Sequence, residues 1–388
     1  MAALDGIRVV EVGLLVQGPQ ASATMADWGA DVIKVELPGF GDQARWLPVA
    51  PGDGRSAYFT ACNRGKRSCT IDLRRPEGKE AFLKLLERAD VVISNFAPGT
   101  MEGWGLGYED VSTRSPRLVY AVGSTFGHAG PDAMREGADL SGQAAGGLIS
   151  TTGRDGGEPT PVGATIADHL GAQNLVTGIL AALVARERTG RGQRIETSLV
   201  GGQIWAQASE ITGYLLRGEV QGRANRGHPL IPSLYGIFPT SDGWIALIGL
   251  VGTARDRFYA AIERPDLAQD FPSFLLNPEK KARLYPLLDE VLRTRSTAAW
   301  GTVLTAADVR WAPVRDHADV VADPGTWANG YIMEVDGVRL VPPPVRFSDT
   351  PAAPAATVPG LGEHTDEVLT EIGYTAEEIT ALRAIGAA

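Results

Sequence analysis

The sequence predicts an α/β protein: a large domain with a mostly parallel sheet, joined to a small α+β domain. Three observations carry that expectation. Short β-branched runs alternate with amphipathic segments through the first half of the 388-residue chain. A hairpin pattern with a strong turn pair, Asp242-Gly243, comes only later. A proline-rich stretch then separates that region from a helical end.

"IRVVEV" (7–12) has the continuous β-branched character of a strand buried on both faces. "QASATMADW" reads as a helix with Pro19 in its first turn and Gly29 as its stop. "DVIKVE" (31–36) is a second strand. "PEGKEAFLKLLERA" opens on Pro76 and places Ala81, Leu83, Leu85 and Leu86 near one face, as an amphipathic helix requires. "DVVISNF" and "LVYAVG" are further strands.

Asp168 stands where a loop turns into a long apolar helix bearing Leu175, Ile179, Leu180 and Leu183. A carboxylate there suits capping, because it accepts hydrogen bonds from unpaired first-turn amides. It also suits chemistry, because a helix N-terminus favours the charged form. The helix ends in "RERTGRGQ", with basic residues followed by Gly190 and Gly192. "RIETSL" leads as a strand into another helix.

The character changes near Gly218, where "GEVQGRANRGHP" forms a polar, glycine-rich linker. The hairpin "YGIFPTSDGWIAL" follows, then helical patterns to about Asp323. "VPPPVRFSDTPAAPAATVPG" is an extended connector, and Thr375 with Glu378 forms a capping box before the last helix. The layout is a large domain over 1–217, a linker and small domain over 218–325, and a return strap with terminal helices over 326–388.

A net charge of −10 argues against a nucleic acid or an anionic membrane as principal partner. The chain has two cysteines, no secretory start and no run of about 18 apolar residues, which points to a soluble cytoplasmic protein. Its five histidines are scattered, so no metal site is expected. No Gly-x-Ser-x-Gly elbow occurs. Gly13 and Gly18 are too far apart for the dinucleotide fingerprint, in which closely spaced glycines let the backbone approach a pyrophosphate. Two stretches invite a nucleotide-type ligand. The basic "NRGKRSCTIDLRRPEGKE" holds Lys66 and Arg74; "NFAPGTMEGWGLGYEDV" sets Asn95, Phe96 and Trp104 after a strand end.

The blocks "GADVIKVE", "PGFGDQAR", "NRGKRS", "NFAPG", "GLGYEDV", "GHAGP", "QAAGGL", "IADHLGA", "AALVARERTGRGQ" and "LGEHTDEVLTEIGY" occur in that order. Together they resemble the class III CoA-transferase family over nearly the whole chain. That family includes formyl-CoA and carnitine CoA-transferases and α-methylacyl-CoA racemases. The resemblance implies a Rossmann-like large domain, a small domain and an interlocked homodimer. Its ligands would be acyl-CoA and a small carboxylic acid, with no metal.

The family's nucleophile matches Asp168 here. A carboxylate can hold an acyl group as an anhydride and CoA as a thioester, and it attacks in its ionised form. CoA contacts are further expected from Gln17, Asn95, Phe96, Trp104 and Asp139. Ala97 and Trp104 stand where many members carry basic residues, so phosphate contacts are expected from Arg74, Arg45 or Lys66. The loop "IGLVGTARD" is similar to the carnitine-type pattern rather than the glycine-dense formyl-CoA type. Two alternatives remain, a racemase-type enzyme and a non-catalytic CoA-binding protein. Racemases need a His before the Asp at 139, and Ala138 stands there.

Overall fold

The structure, a computed structural model, describes residues 1–273 and 275–388. It divides into two compact units. The first comprises 1–147, 163–206 and 324–388, and the second 148–162 and 207–323.

The first unit is built on a six-stranded sheet: β1 (Arg8–Glu11), β2 (Asp31–Glu36), β3 (Arg67–Thr70), β4 (Val91–Ser94), β5 (Val119–Ser124) and β6 (Arg194–Ser198). All neighbours pair in parallel, in the order β3-β2-β1-β4-β5-β6. Because successive side chains point to opposite faces, Val10, Ile33, Val92 and Tyr120 pack on one side, with the Pro76–Leu86 and Thr365–Glu371 helices. Val9, Val32, Ile93 and Ala121 pack on the other, against the Gln17–Asp27 and Ile166–Thr189 helices. Double burial explains the unbroken apolar runs in the sequence.

β3 lies inside the basic stretch "NRGKRSCTIDLRRPEGKE", and its polar spelling "RSCT" hid it. Ser68 and Cys69 are buried in it, and Arg67 pairs with Asp31 and Glu371 at the sheet's edge. The helix around Pro19 starts two residues earlier than expected, at Gln17, while Gly29 follows its end with a φ of 98°. The proline-rich segment is extended: Phe347 meets Trp28 edge-on at 5.5 Å, and the Ala353 amide donates to the Asp27 carbonyl at 2.9 Å. A short hairpin precedes it, Met333–Val335 with Val338–Leu340, around Asp336 and Gly337 at φ 50° and 78°. That turn uses the same Asp-Gly pair as the expected hairpin and was equally open to reading.

The second unit holds the antiparallel strands β7 (Leu234–Pro239), β8 (Trp244–Leu250) and β9 (Trp311–Pro313) in that order. Helices cover them, with Phe258, Leu284, Leu288 and Trp300 in the core. The Asp242-Gly243 turn joins β7 to β8, and Asp242 also accepts from the Thr297 amide at 2.8 Å. The division at 206/207 and the inclusion of 148–162 depart from the 217/218 boundary. Local pairing ties 148–162 to this unit: the Ala224 amide donates to the Thr151 carbonyl and the Asn225 amide to the Gly153 carbonyl. Among the described residues no helix is long and apolar enough to cross a membrane.

Candidate active site

The order of strands reverses at β1, which has β2 on one side and β4 on the other. The crevice beyond the carboxyl ends of two such strands is where open parallel sheets bind ligands. Here the two loops are stitched together. The Leu14 amide donates to Asn95 Oδ1 at 2.7 Å, and Asn95 Nδ2 donates to the Leu14 carbonyl at 2.9 Å. Leu15 adopts φ 62°, an unusual conformation for a branched side chain. Its amide is held by Asp42 Oδ1 at 3.0 Å.

Two cavities flank this junction and share Leu14, Gln43 and Phe96 as walls. One, of about 270 Å³, is lined by Leu37, Phe40, Arg74, Phe96 and Trp104. Phe96 and Trp104 meet edge-on at 5.5 Å, leaving flat apolar surface suited to an aromatic base. The other, of about 290 Å³, is lined by Gln17, Asn95, Ala97, Arg135, Glu136 and Asp168.

Asp168 is not the cap of its helix. The N-cap is Thr165, and Asp168 lies in the first turn of the 24-residue Ile166–Thr189 helix. Capping is done by Asp139, from the helix Asp139–Ala145. Its Oδ1 accepts from the Ala167 amide at 2.7 Å and the Asp168 amide at 3.2 Å, and its Oδ2 accepts from Gln143 Nε2 at 2.6 Å. The half-buried Asp168 carboxyl is thereby left to the cavity. Its helix terminus favours the anion, yet burial, with the charge of Asp139 added, pushes the carboxyl up to about 7.

Gln17 is buried where two glycines make room for it. A Cβ on Gly123 would sit 2.3 Å from its Oε1, and one on Gly171 would sit 2.7 Å from its Nε2. That Nε2 is a buried donor with no partner in the structure.

The structure therefore brings Gln17, Arg74, Asn95, Phe96, Trp104 and Asp168 to the paired cavities, with Asp139 behind Asp168. Arg45 and Lys66 line neither. Arg45 donates to both oxygens of Glu36 at 2.8 Å and to the Pro359 carbonyl at 3.0 Å. Lys66 is fully enclosed, donating to Glu11 Oε2 and the Pro19 carbonyl at 2.9 Å and to Asn63 Oδ1 at 2.8 Å. Burial lowers the Lys66 ammonium to about 8, with Glu11 opposing that shift. A basic residue in a sequence block can compensate a buried acid as readily as a phosphate, and spacing does not separate the two. Asp42 and Arg135 escaped the sequence reading because loop geometry, which no spacing rule gives, places Asp42 against the Leu15 amide and Arg135 in a cavity wall. Among the described residues no group of His, Cys, Asp or Glu is placed to hold a metal ion.

The family model of CoA-transferase family III matches residues 4–365. The chain belongs to this family. A succinyl-CoA:mesaconate CoA-transferase from Haloarcula hispanica is 36% identical, over 96% of this chain and 97% of its own. A succinate–glutarate CoA-transferase from Agrobacterium fabrum is also 36% identical, over 95% of both chains. The crystal structure of a CAIB/BAIF family protein from Brucella suis superposes with a TM-score of 0.87 at 35% identity, over 96% of this chain and 99% of that one. The protein is a family III CoA-transferase, and the racemase alternative has no support among these relatives. In keeping with that, Ala138 occupies the N-cap before Asp139 and has no side chain able to move a proton.

Proposed function

We propose that this CoA-transferase moves CoA between dicarboxylic acids through covalent intermediates on Asp168. The observation that carries the mechanism is a half-buried carboxyl in the first turn of a long helix, relieved of capping by Asp139 and lining a cavity beside an aromatic-walled one. Asp168 attacks the acyl-CoA carbonyl and expels CoA thiolate, forming an acyl-aspartyl anhydride. The thiolate then attacks the aspartyl carbonyl, releasing the first acid and leaving an aspartyl-CoA thioester. The acceptor carboxylate attacks that thioester, and the expelled thiolate takes up the new acyl group from the resulting anhydride, regenerating Asp168.

Carboxylates and thiolates exchange places with no obligatory proton transfer, so no histidine base is required. The unpartnered Nε2 of Gln17 is suited to donate to the oxyanion that develops at the attacked carbonyl. Phe96 and Trp104 would hold the adenine, and Arg74 a phosphate. We place the enzyme in the cytoplasm as an interlocked homodimer. The dicarboxylate reading follows the acids for which the relatives are named.

The test is incubation with a panel of acyl-CoAs and isotopically labelled free acids, read by mass spectrometry. CoA appearing on the labelled acid supports transfer; CoA binding without any exchange would leave a CoA-binding protein.

A further inference from the structure

The cavity that Asp168 lines has a single basic side chain among its described walls, Arg135. A dicarboxylic acyl group carries a second carboxylate that takes no part in the transfer. Beside the carboxyls of Asp168 and Glu136, that charge needs a cationic partner.

We propose that Arg135 binds the distal carboxylate of the acyl group and so selects dicarboxylates over monocarboxylates. The inference rests on the CoA-transfer reading above and deepens it. Arg135 lies between β5 and the Asp139–Ala145 helix, on an exposed segment whose Gly137 comes close to Thr125 and Ser141. A Cβ on Gly137 would sit 2.7 Å from Thr125 Cγ2 and 3.0 Å from Ser141 Oγ, so this approach requires glycine. The guanidinium lies 4.6 Å from the centre of the Phe126 ring, which orients its plane.

Its Nη1 donates to Asp132 at 2.9 Å, in a pair exposed on both sides. An ion pair of that kind contributes little and yields to a ligand carboxylate. The planar fork then offers two parallel N–H donors, the geometry that suits a carboxylate. Glu136 on the same wall repels any carboxylate that the fork does not hold, so discrimination falls to Arg135.

The experiment measures exchange between succinyl-CoA and glutarate, and between butyryl-CoA and butyrate, in the parent, Arg135→Gln and Arg135→Lys proteins. Calorimetry with free CoA accompanies it. Arg135→Gln should raise KM for succinyl-CoA and glutarate about tenfold or more, and Arg135→Lys should fall between. KM for butyryl-CoA and the affinity for free CoA should stay within about twofold of the parent. An equal loss for butyryl-CoA and free CoA would assign Arg135 to a CoA phosphate and overturn the inference. So would an unchanged KM for both dicarboxylate partners. A parent protein that exchanges butyrate but neither dicarboxylate overturns the selectivity while CoA transfer stands; exchange of no acid overturns both readings.

Discussion

Asp139 Oδ1 accepts the backbone amide of Asp168 at 3.2 Å, so one acid caps the helix on which the other projects its carboxyl. In the mechanism proposed above, the two roles that a single aspartate could have combined are divided between neighbours. Capping demands that a carboxylate face the helix amides, whereas nucleophilic attack demands that it face the cavity.

Separating cap from charge gives the first prediction. Asp139→Asn keeps an oxygen to accept the Ala167 and Asp168 amides but removes the negative charge that helps raise Asp168. The pH midpoint of transfer should move below that of the parent with little loss of stability. Asp139→Ala loses the cap as well and should cost about 0.5–2 kcal/mol in denaturant unfolding. Equal stability of the two variants would remove the capping role.

The second concerns Asp168 itself, whose carboxyl is raised from 3.8 to about 7. Because the folded state holds this proton more tightly than the unfolded one, Asp168 has no cost below 3.8. It becomes progressively destabilising as pH rises from 3.8 through about 7. Asp168→Asn should therefore melt higher than the parent at pH 8, by about 2 °C or more, and nearly together with it at pH 4. In the parent, kcat/KM should rise with pH through about 7 as the nucleophile ionises. Initial rates from pH 5.5 to 8.5 and thermal melts check both.

Hydroxylamine added during turnover should intercept the aspartyl thioester or anhydride and leave a hydroxamate on Asp168. Peptide mapping would locate it, and Asp168→Ala should remain unmodified. Modification of a glutamate or cysteine elsewhere would reject Asp168 as nucleophile.

A fourth prediction separates binding residues from buried charge. Phe96→Ala and Arg74→Ala should each weaken CoA about tenfold by calorimetry, because both side chains line the aromatic-walled cavity. Lys66→Met should leave CoA affinity near that of the parent. It should cost about 3 kcal/mol of stability, because Glu11 loses one of its two buried lysine partners, Lys34 and Lys66.

The parallel sheet, the hairpin at Asp242-Gly243 and the terminal capping box were legible because hydrophobic period and turn chemistry are local properties. The order of sequence blocks was enough to indicate the family. Distant contacts decided the rest. "RSCT" became a strand because β2 offered it an edge, and Lys66 became a structural charge because Glu11 is sealed beside it. The cap of the Ile166–Thr189 helix came from Asp139 rather than from the helix's own residues, as no spacing rule reveals. Pattern follows from which side chains a segment can bury; the partner that meets each polar group depends on which segments the fold brings together.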